Sequence, residues 1–415
     1  MNVLILTYFF PPDAEVGALR PYRFAKYLER LGFNIEVIAA GPNFRPATDG
    51  KLQRLRGDSF AYPSTLLEKL CRKVFGVHGW GLVWSHRAGR RATKSISSSG
   101  ETVILSTSPP LAVHRAALII KRTFPGIRWI ADFRDPLTSS FDAEGMWAPQ
   151  FGRLLERRIL GATDLVIANT DLAAERWRER FPEYRSKFHV LWNGFDPEDP
   201  ISASPLPDRP YRVLAHFGSL YKGRQPGRLL ASLGRLIESG RLQSSTIRIR
   251  LVGSPRETLG CSLATIDKLG CVEIVDRVPR PEAQRLMATS DYLLLLDLEG
   301  QTDGLHVPAK VFEYLRIGRP ILAYTCRNSA LESVLERSGV SHACVYHTDA
   351  DPQADEKLYE FLRLSSSPVE MTPSFQMDFS APVQAARLAN WLSPDFAIPQ
   401  QSQDTVLFNP CRNSR

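Results

Sequence analysis

The sequence predicts an α/β protein built from two Rossmann-like domains, each a doubly wound parallel sheet. Three observations carry that expectation. Short aliphatic runs alternate with amphipathic segments, a βαβ rhythm that builds parallel sheets covered by helices on both faces. A proline-rich stretch with Pro197, Pro200, Pro205, Pro207 and Pro210 interrupts the rhythm, which then restarts. The length of 415 residues suits two to three domains of about 100–200 residues each. At 43% hydrophobic and 23% charged residues, the composition excludes a mainly disordered, collagen-like or coiled-coil chain. No apolar run reaches the roughly 18 residues that a spanning helix needs.

Taken in order, Val3-Leu4-Ile5-Leu6 is the expected first strand. It has no basic flank and leads into Pro11-Pro12, so it does not read as a secretory signal and a cytoplasmic location is expected. Ala18, Tyr22, Ala25, Leu28 and Leu31 recur at helical spacing, Gly32 suits the helix end, and Ile35 to Ile38 is the next strand. Further strands are expected at 102–105, 129–130 and 165–168, with a helix from about His114. Beyond the prolines come strands at 211–216, 247–252, 272–274, 292–296 and 320–323, and helices at 228–237, 281–288 and 308–316. The last helical pattern is Val383 to Leu392. The expected organisation is an N-terminal domain over 1–197, a linker over 198–210, a second domain over 211–380, a helix over 381–392 and a polar tail over 393–415. The six cysteines include no Cys-x-x-Cys pair and read as reduced structural thiols.

Rossmann-like sheets bind ligands outside the carboxyl ends of their strands, where helix N-termini favour anions. The segment from Gly304 to Leu315, GLHVPAKVFEYL, fits such a site. Pro308 is expected as the first helical residue, leaving the amides of Ala309, Lys310 and Val311 for a diphosphate, with the charge of Lys310 added. Glu313 has two readings: acceptor for a ribose diol, or an acid well placed in a first helical turn. A second segment, HFGSLYKGR from His216 to Arg224, ends a strand at Gly218 and offers Lys222 and Arg224 to phosphate oxygens. Its other reading is a basic surface turn. Gly17 stands before a helix in a loop that has no G-x-G-x-x-G, which disfavours a nicotinamide dehydrogenase. His114, after Ser106-Thr107-Ser108-Pro109-Pro110, is either a contact for a substrate hydroxyl or a packed histidine. Asp132-Phe133-Arg134-Asp135 reads as a local ion-pair cluster.

In this order the motifs LTYFFPPDAEVGALRPYRFAKYL, STSPP, DFRDP, NGFD (Asn193 to Asp196), FGSLYKGR and VPAKVFEYLRIGRPIL resemble the family 4 glycosyltransferases, over residues 3 to about 323. The resemblance implies the GT-B fold, with two sheets facing across a cleft. It implies a retaining hexosyltransferase that moves a sugar from a nucleotide diphosphate donor to a saccharide or lipid-linked acceptor in surface polysaccharide biosynthesis. His114 would approach the transferred sugar and Glu313 would hold the ribose, as the catalytic pair. Gly17 would lie against the donor, and Gly218, Lys222 and Arg224 would serve the diphosphate. The base would rest between the strand ending near Gly253 and the Val278-Pro279-Arg280 segment, with Val307, Ala309 and Lys310 completing the donor site. The 381–392 helix would cross back to the first domain. The chain departs from the family where the first Glu of its two-glutamate motif is expected, because Leu305 stands there; Glu299 and Asp303 lie nearby out of register.

No metal or other cofactor is expected, since Lys222, Arg224 and helix amides supply the positive charge a leaving diphosphate needs. Two alternatives stand: a nucleotide-sugar epimerase of the same fold, and a non-catalytic nucleotide-sugar-binding subunit. Nucleic acid is not an expected partner, for no stacking ladder or recognised motif accompanies the charge. That net charge of +8 is concentrated in residues 51–100, which hold ten Lys and Arg with only Asp58 and Glu68. Within it Trp80, Trp84, Arg87, Arg90 and Arg91 have the composition of an acceptor or anionic-membrane patch. The other reading is a solvated basic face over buried aromatics.

Overall fold

The computed structural model describes residues 1–11, 16–40, 56–60, 66–75, 80–96, 101–134, 148–220, 223–255, 263–298 and 304–394. The chain divides into two compact units, Met1–Glu198 with Asp378–Arg415, and Asp199–Met377.

The first unit begins with β1 (Asn2–Thr7), α1 (Leu19–Arg30), β2 (Asn34–Ala40), β3 (Arg56–Phe60), α2 (Leu66–Phe75) and α3 (Leu82–Ile96). It continues with β4 (Thr102–Ser108), α4 (Ala112–Thr123), β5 (Arg128–Phe133), α5 (Ala148–Ala162), β6 (Leu165–Ala168), α6 (Asp171–Arg180) and β7 (Phe188–Val190). The seven strands are parallel in the order β3-β2-β1-β4-β5-β6-β7. Alternate residues of β1 serve opposite faces, as strand geometry demands. Leu4 and Leu6 join Trp84, Val113, Ile159 and Trp177 on one face, whereas Val3 and Ile5 join Phe24, Leu28 and later Leu388 on the other. Between α3 and α4 the backbones approach so closely that a Cβ on Gly89 would stand 3.0 Å from the carbonyl oxygen of Ala116.

The second unit contains β8 (Arg212–Phe217), α7 (Gly227–Glu238), β9 (Ile247–Val252), α8 (Leu263–Leu269), β10 (Val272–Val275) and α9 (Arg280–Ala288). Next come β11 (Tyr292–Leu296), α10 (Lys310–Ile317), β12 (Ile321–Thr325), α11 (Ala330–Ser338), β13 (His342–Tyr346), α12 (Asp351–Leu362) and the start of α13 (Pro373–Phe379). Its six parallel strands run β10-β9-β8-β11-β12-β13. In both sheets the strand order reverses once, at β1/β4 and at β8/β11. The last helix, α14 (Ala381–Leu392), packs Ala385, Leu388 and Leu392 into the first unit's core beside Phe24 and Leu28 of α1.

Two expectations are corrected here. Trp84 is not on a surface: it is fully buried, its Nε1 donates to the carbonyl of Ala39 at 3.3 Å, and its ring meets Tyr8 edge-on at 5.4 Å. Trp80 is half-buried against Tyr8 and Phe9. Helical period explains the exchange, because Trp84, Ala88 and Ala92 share the inward face of α3 while Arg87, Arg90 and Arg91 point to solvent. The helix expected from Pro308 starts at Lys310, and the consequence for its amides is described with the site.

Candidate functional site at the sheet switch points

The second unit concentrates its candidate chemistry where β8 and β11 diverge, the position at which doubly wound sheets hold ligands. β8 ends in His216 and Phe217, and the chain then turns through Gly218 at φ +121°, a conformation that side chains strain to adopt. A Cβ on Gly218 would lie 2.8 Å from Nζ of Lys310. Gly253, which ends β9 at φ +111°, is pressed against it, its own added Cβ standing 3.2 Å from backbone atoms of Gly218. Leu220 N–H donates to Ser254 Oγ at 2.6 Å, and Phe217 N–H to the Tyr314 hydroxyl at 3.0 Å, so α10 and β9 both pin this turn.

His216 is fully buried and bridges the diverging strands, its Nδ1 lying 3.0 Å from the carbonyl oxygen of Leu294. A carbonyl only accepts, so Nδ1 carries the proton and Nε2 is left as an acceptor. Lys310 Nζ occupies that position at 3.3 Å and also donates to Phe217 O. Burial and the neighbouring ammonium hold His216 well below the usual histidine range. Burial also pulls Lys310 down to about 7, with the Arg224 guanidinium adding to the effect and Glu313 opposing it. Lys310 and Arg224 thus form a desolvated cationic pair, an arrangement stabilised by an arriving anion.

At the first turn of α10, Val311 N–H donates to Pro308 O at 3.0 Å and Phe312 N–H to Ala309 O at 3.3 Å. The expected trio of ligand-facing amides is therefore corrected: Pro308 opens a tight i to i+3 turn that consumes the Val311 amide. Glu313, half-buried, accepts from Arg280 Nη2 at 2.9 Å. Arg280 begins α9, so Val278, Arg280 and Glu313 come to one neighbourhood. Val307 is buried, and Ala309 forms the N-terminal cap position of α10. Leu305 is 7% exposed, an apolar side chain packed inward where a carboxylate was expected. Lys222, Glu299 and Asp303 lie outside the described residues.

In the first unit, Gly17 and His114 stand near the carboxyl ends of the strands by different means. Gly17 O accepts from Arg134, and an added Cβ there would meet Arg134 Nη1 at 3.0 Å. His114 is wholly buried against Phe133, with ring centroids 4.2 Å apart. Ser106 Oγ accepts from Trp129 Nε1 at 2.7 Å and lies 2.8 Å from His114 Nδ1. His114 Nε2 is buried with no hydrogen-bond partner among the described residues. Burial depresses the imidazole pKa to about 3, which keeps it neutral near pH 7.

The DFRDP and NGFD motifs form a buried lattice. Asp132 accepts two hydrogen bonds from Arg20, at 2.7 and 3.0 Å, and one from Thr107 at 2.7 Å. Arg20 also donates to the carbonyls of Leu191 and Trp192 and to Asn193 Oδ1. Asp196 takes Lys26 and Tyr27, each at 2.6 Å. This lattice fixes α1 to the strand ends, so the role of Asp132 is structural, but the expected local ion-pair cluster is corrected: Asp132 pairs with Arg20, 112 residues away, while Arg134 donates to the carbonyls of Gly17, Ser108 and Pro109. Sequence reading missed Arg20, His216 and Tyr314; the adjacent Glu-Tyr pair in FEYL is the one local signal for Tyr314.

A groove of about 660 Å³ opens in the second unit at the opposite strand ends, beside Arg209, Arg212 and Asp291. There Arg209 is paired with Asp291 at 2.5 Å and Arg212 is bound to the Tyr292 hydroxyl. Among the described residues no cluster of three or more His, Cys, Asp or Glu is placed to hold a metal, and no helix is long and apolar enough to cross a membrane.

Residues 20–199 match the model of Glycosyltransferase Family 4. No curated protein matches the chain at the sequence level. Among solved structures, Anabaena HepE in complex with UDP-glucose is similar at a TM-score of 0.64 and 15% identity, covering 95% of this chain and all of that one. The lipopolysaccharide outer core galactosyltransferase WaaB, in its apo form, is similar at 0.61 and 12% identity with the same coverage. The UDP-forming α,α-trehalose-phosphate synthase of Burkholderia xenovorans, in complex with glucose-6-phosphate, is similar at 0.61 and 11% identity, covering 94% of this chain and all of that one.

Proposed function

We propose that the chain, which has the GT-B fold, is a family 4-like glycosyltransferase and transfers a sugar from a nucleotide diphosphate donor with retention of anomeric configuration. The observation that carries the reading is the cationic pair Arg224 and Lys310 beside Gly218 at the β8/β11 switch point. A diphosphate placed there meets two positive charges and a glycine turn that lets its oxygens approach the backbone. In the transfer the bond from the anomeric carbon to the phosphate oxygen breaks, the acceptor hydroxyl bonds to the same face and passes its proton to the departing diphosphate oxygen, and the nucleoside diphosphate leaves. Lys222, Arg224 and Lys310 stabilise the charge that develops on it, without a metal.

Glu313 serves the ribose diol in this reading, with Arg280 holding its carboxylate in place at 2.9 Å. His114 serves the sugar through Nε2, a buried atom with no hydrogen-bond partner among the described residues. The acceptor is a saccharide or lipid-linked saccharide bound by the first unit, in surface polysaccharide assembly. Two structural neighbours, one in complex with UDP-glucose and the other a galactosyltransferase of the lipopolysaccharide outer core, support that assignment. Replacing Lys222→Ala together with Arg224→Ala is expected to abolish transfer and leave the far-ultraviolet circular dichroism unchanged. Full activity in that double variant would overturn the diphosphate site. Leu305, buried where the first Glu is expected, favours one second reading, a subunit that binds nucleotide-sugar without turnover; hydrolysis or transfer of any donor excludes it.

A further inference from the structure

Helices α2 to α5 carry many more Lys and Arg than Asp and Glu, and α2, which packs on α3 and α5, leaves the first turn of its apolar stripe exposed. In α2 the half-buried Cys71, Val74 and Phe75 face the protein, with the Phe75 ring 4.4 Å from that of Phe151 on α5. One turn earlier on the same apolar stripe, Leu66 is exposed at 84%, Leu67 at 56% and Leu70 at 54%. Leu154, one turn beyond Phe151 on α5, is 51% exposed. A helix normally turns such a stripe toward a core, so these side chains have been left for something that covers them.

The charge around them says what that is. Lys69 and Lys73 are exposed on α2, and Arg153, Arg157 and Arg158 on α5. The one acid of α5, Glu156, is fully buried against Arg180 at 3.1 Å. Between α4 and α5 a groove of about 90 Å³ has an apolar floor at Leu118, Ile119 and Leu155 and is rimmed by Arg115, Arg122 and Arg158. Leucines set among exposed cations fit a surface that is apolar beneath and negative on top. A second copy of this chain would instead bring two basic faces together.

We propose that the outer face of α2 and α5 docks the protein on the surface of an anionic lipid bilayer. Trp84, packed in the core, and Trp80, half-buried against it, take no part; the exposed Arg87, Arg90 and Arg91 of α3 add charge alongside. The inference stands apart from the donor assignment, since docking requires no nucleotide.

The test is co-sedimentation of the full chain with vesicles of phosphatidylcholine alone and of phosphatidylcholine mixed with phosphatidylglycerol. Binding to the anionic vesicles is expected to be stronger by about tenfold or more and to weaken with salt. The triple variant Leu66→Ser, Leu67→Ser, Leu70→Ser is expected to lose about tenfold in partitioning, and Lys69→Glu with Arg157→Glu to lose the preference for anionic lipid. These side chains are exposed, so the thermal transition and the affinity for nucleoside diphosphate should stay as in the parent. Equal sedimentation with both vesicle types, or unchanged binding of the triple variant, would overturn the proposal. So would a dimer in light scattering that the triple variant abolishes while no vesicle binding is seen.

Discussion

Lys310 Nζ lies 3.3 Å from Nε2 of His216, a buried imidazole whose tautomer is set by the Leu294 carbonyl on the other side of its ring. The pair spans 94 residues of sequence and places an ammonium at the switch point of the sheet. Because burial brings Lys310 down to about 7, its charge is present below neutral pH and lost above it. Lys310→Met is therefore expected to weaken nucleoside diphosphate binding by about tenfold at pH 6.5, and by less at pH 8.5. Titration calorimetry of both proteins across this range checks it, the ratio of affinities cancelling the titration of the nucleotide itself.

The glycines at the ends of β8 and β9 should tolerate no side chain. Gly253→Ala must place a Cβ 3.2 Å from the Gly218 backbone at φ +111°. It is expected to cost about 1–3 kcal/mol in denaturant unfolding and to displace the Gly218 turn. Gly218→Ala, whose Cβ would collide with the movable Lys310 Nζ, should reduce nucleoside diphosphate affinity more than stability.

Asp132 and Arg20 are 0% and 8% exposed in their side chains and 2.7 Å apart. Replacing Asp132 with Asn leaves Arg20 as an uncompensated buried charge. The expected loss is about 3–5 kcal/mol in the unfolding of the first unit, read by denaturant titration. The conservative Arg20→Lys should not rescue it, since a single ammonium lacks the planar fork that reaches Asp132 and the carbonyls of Leu191 and Trp192 together.

His114 gives the fold an acid limit. Its folded pKa of about 3 lies below the 6.5 of an unconstrained imidazole, so only the unfolded chain takes up a proton between these values. The stabilising contribution is intact above pH 6.5 and lost as pH falls toward 3, amounting to about 2 kcal/mol at pH 5. His216 acts in the same direction. Thermal melting from pH 7.5 to 5 should show a falling transition temperature, with a shallower slope in His114→Gln.

Much of the fold could be read because the central strands are short apolar runs: β6, β9 and β11 fall at the expected residues, 165–168, 247–252 and 292–296. Of the four edge strands only β10 was read, at 272–274; β3, β7 and β13 lack the continuous apolar run of a strand covered on both faces. Gly218 and Lys310 could be named from motifs, yet their contact could not, as it depends on the β8/β11 pairing. Trp84 misled because composition gives the residues of a patch and not the face of the helix on which each sits. The exposure of the α2 leucines has no sequence signal, since an apolar residue at helical spacing is normally turned inward.

The measurement that tests the central claim most directly is a screen of nucleotide diphosphate sugars with a saccharide acceptor, read by mass spectrometry for product and by NMR for the new anomeric bond. The account predicts turnover of at least one donor, with free nucleoside diphosphate released and the donor's anomeric configuration retained, and none in Lys222→Ala with Arg224→Ala. An inverted product, or binding of donors without turnover of any, would contradict it.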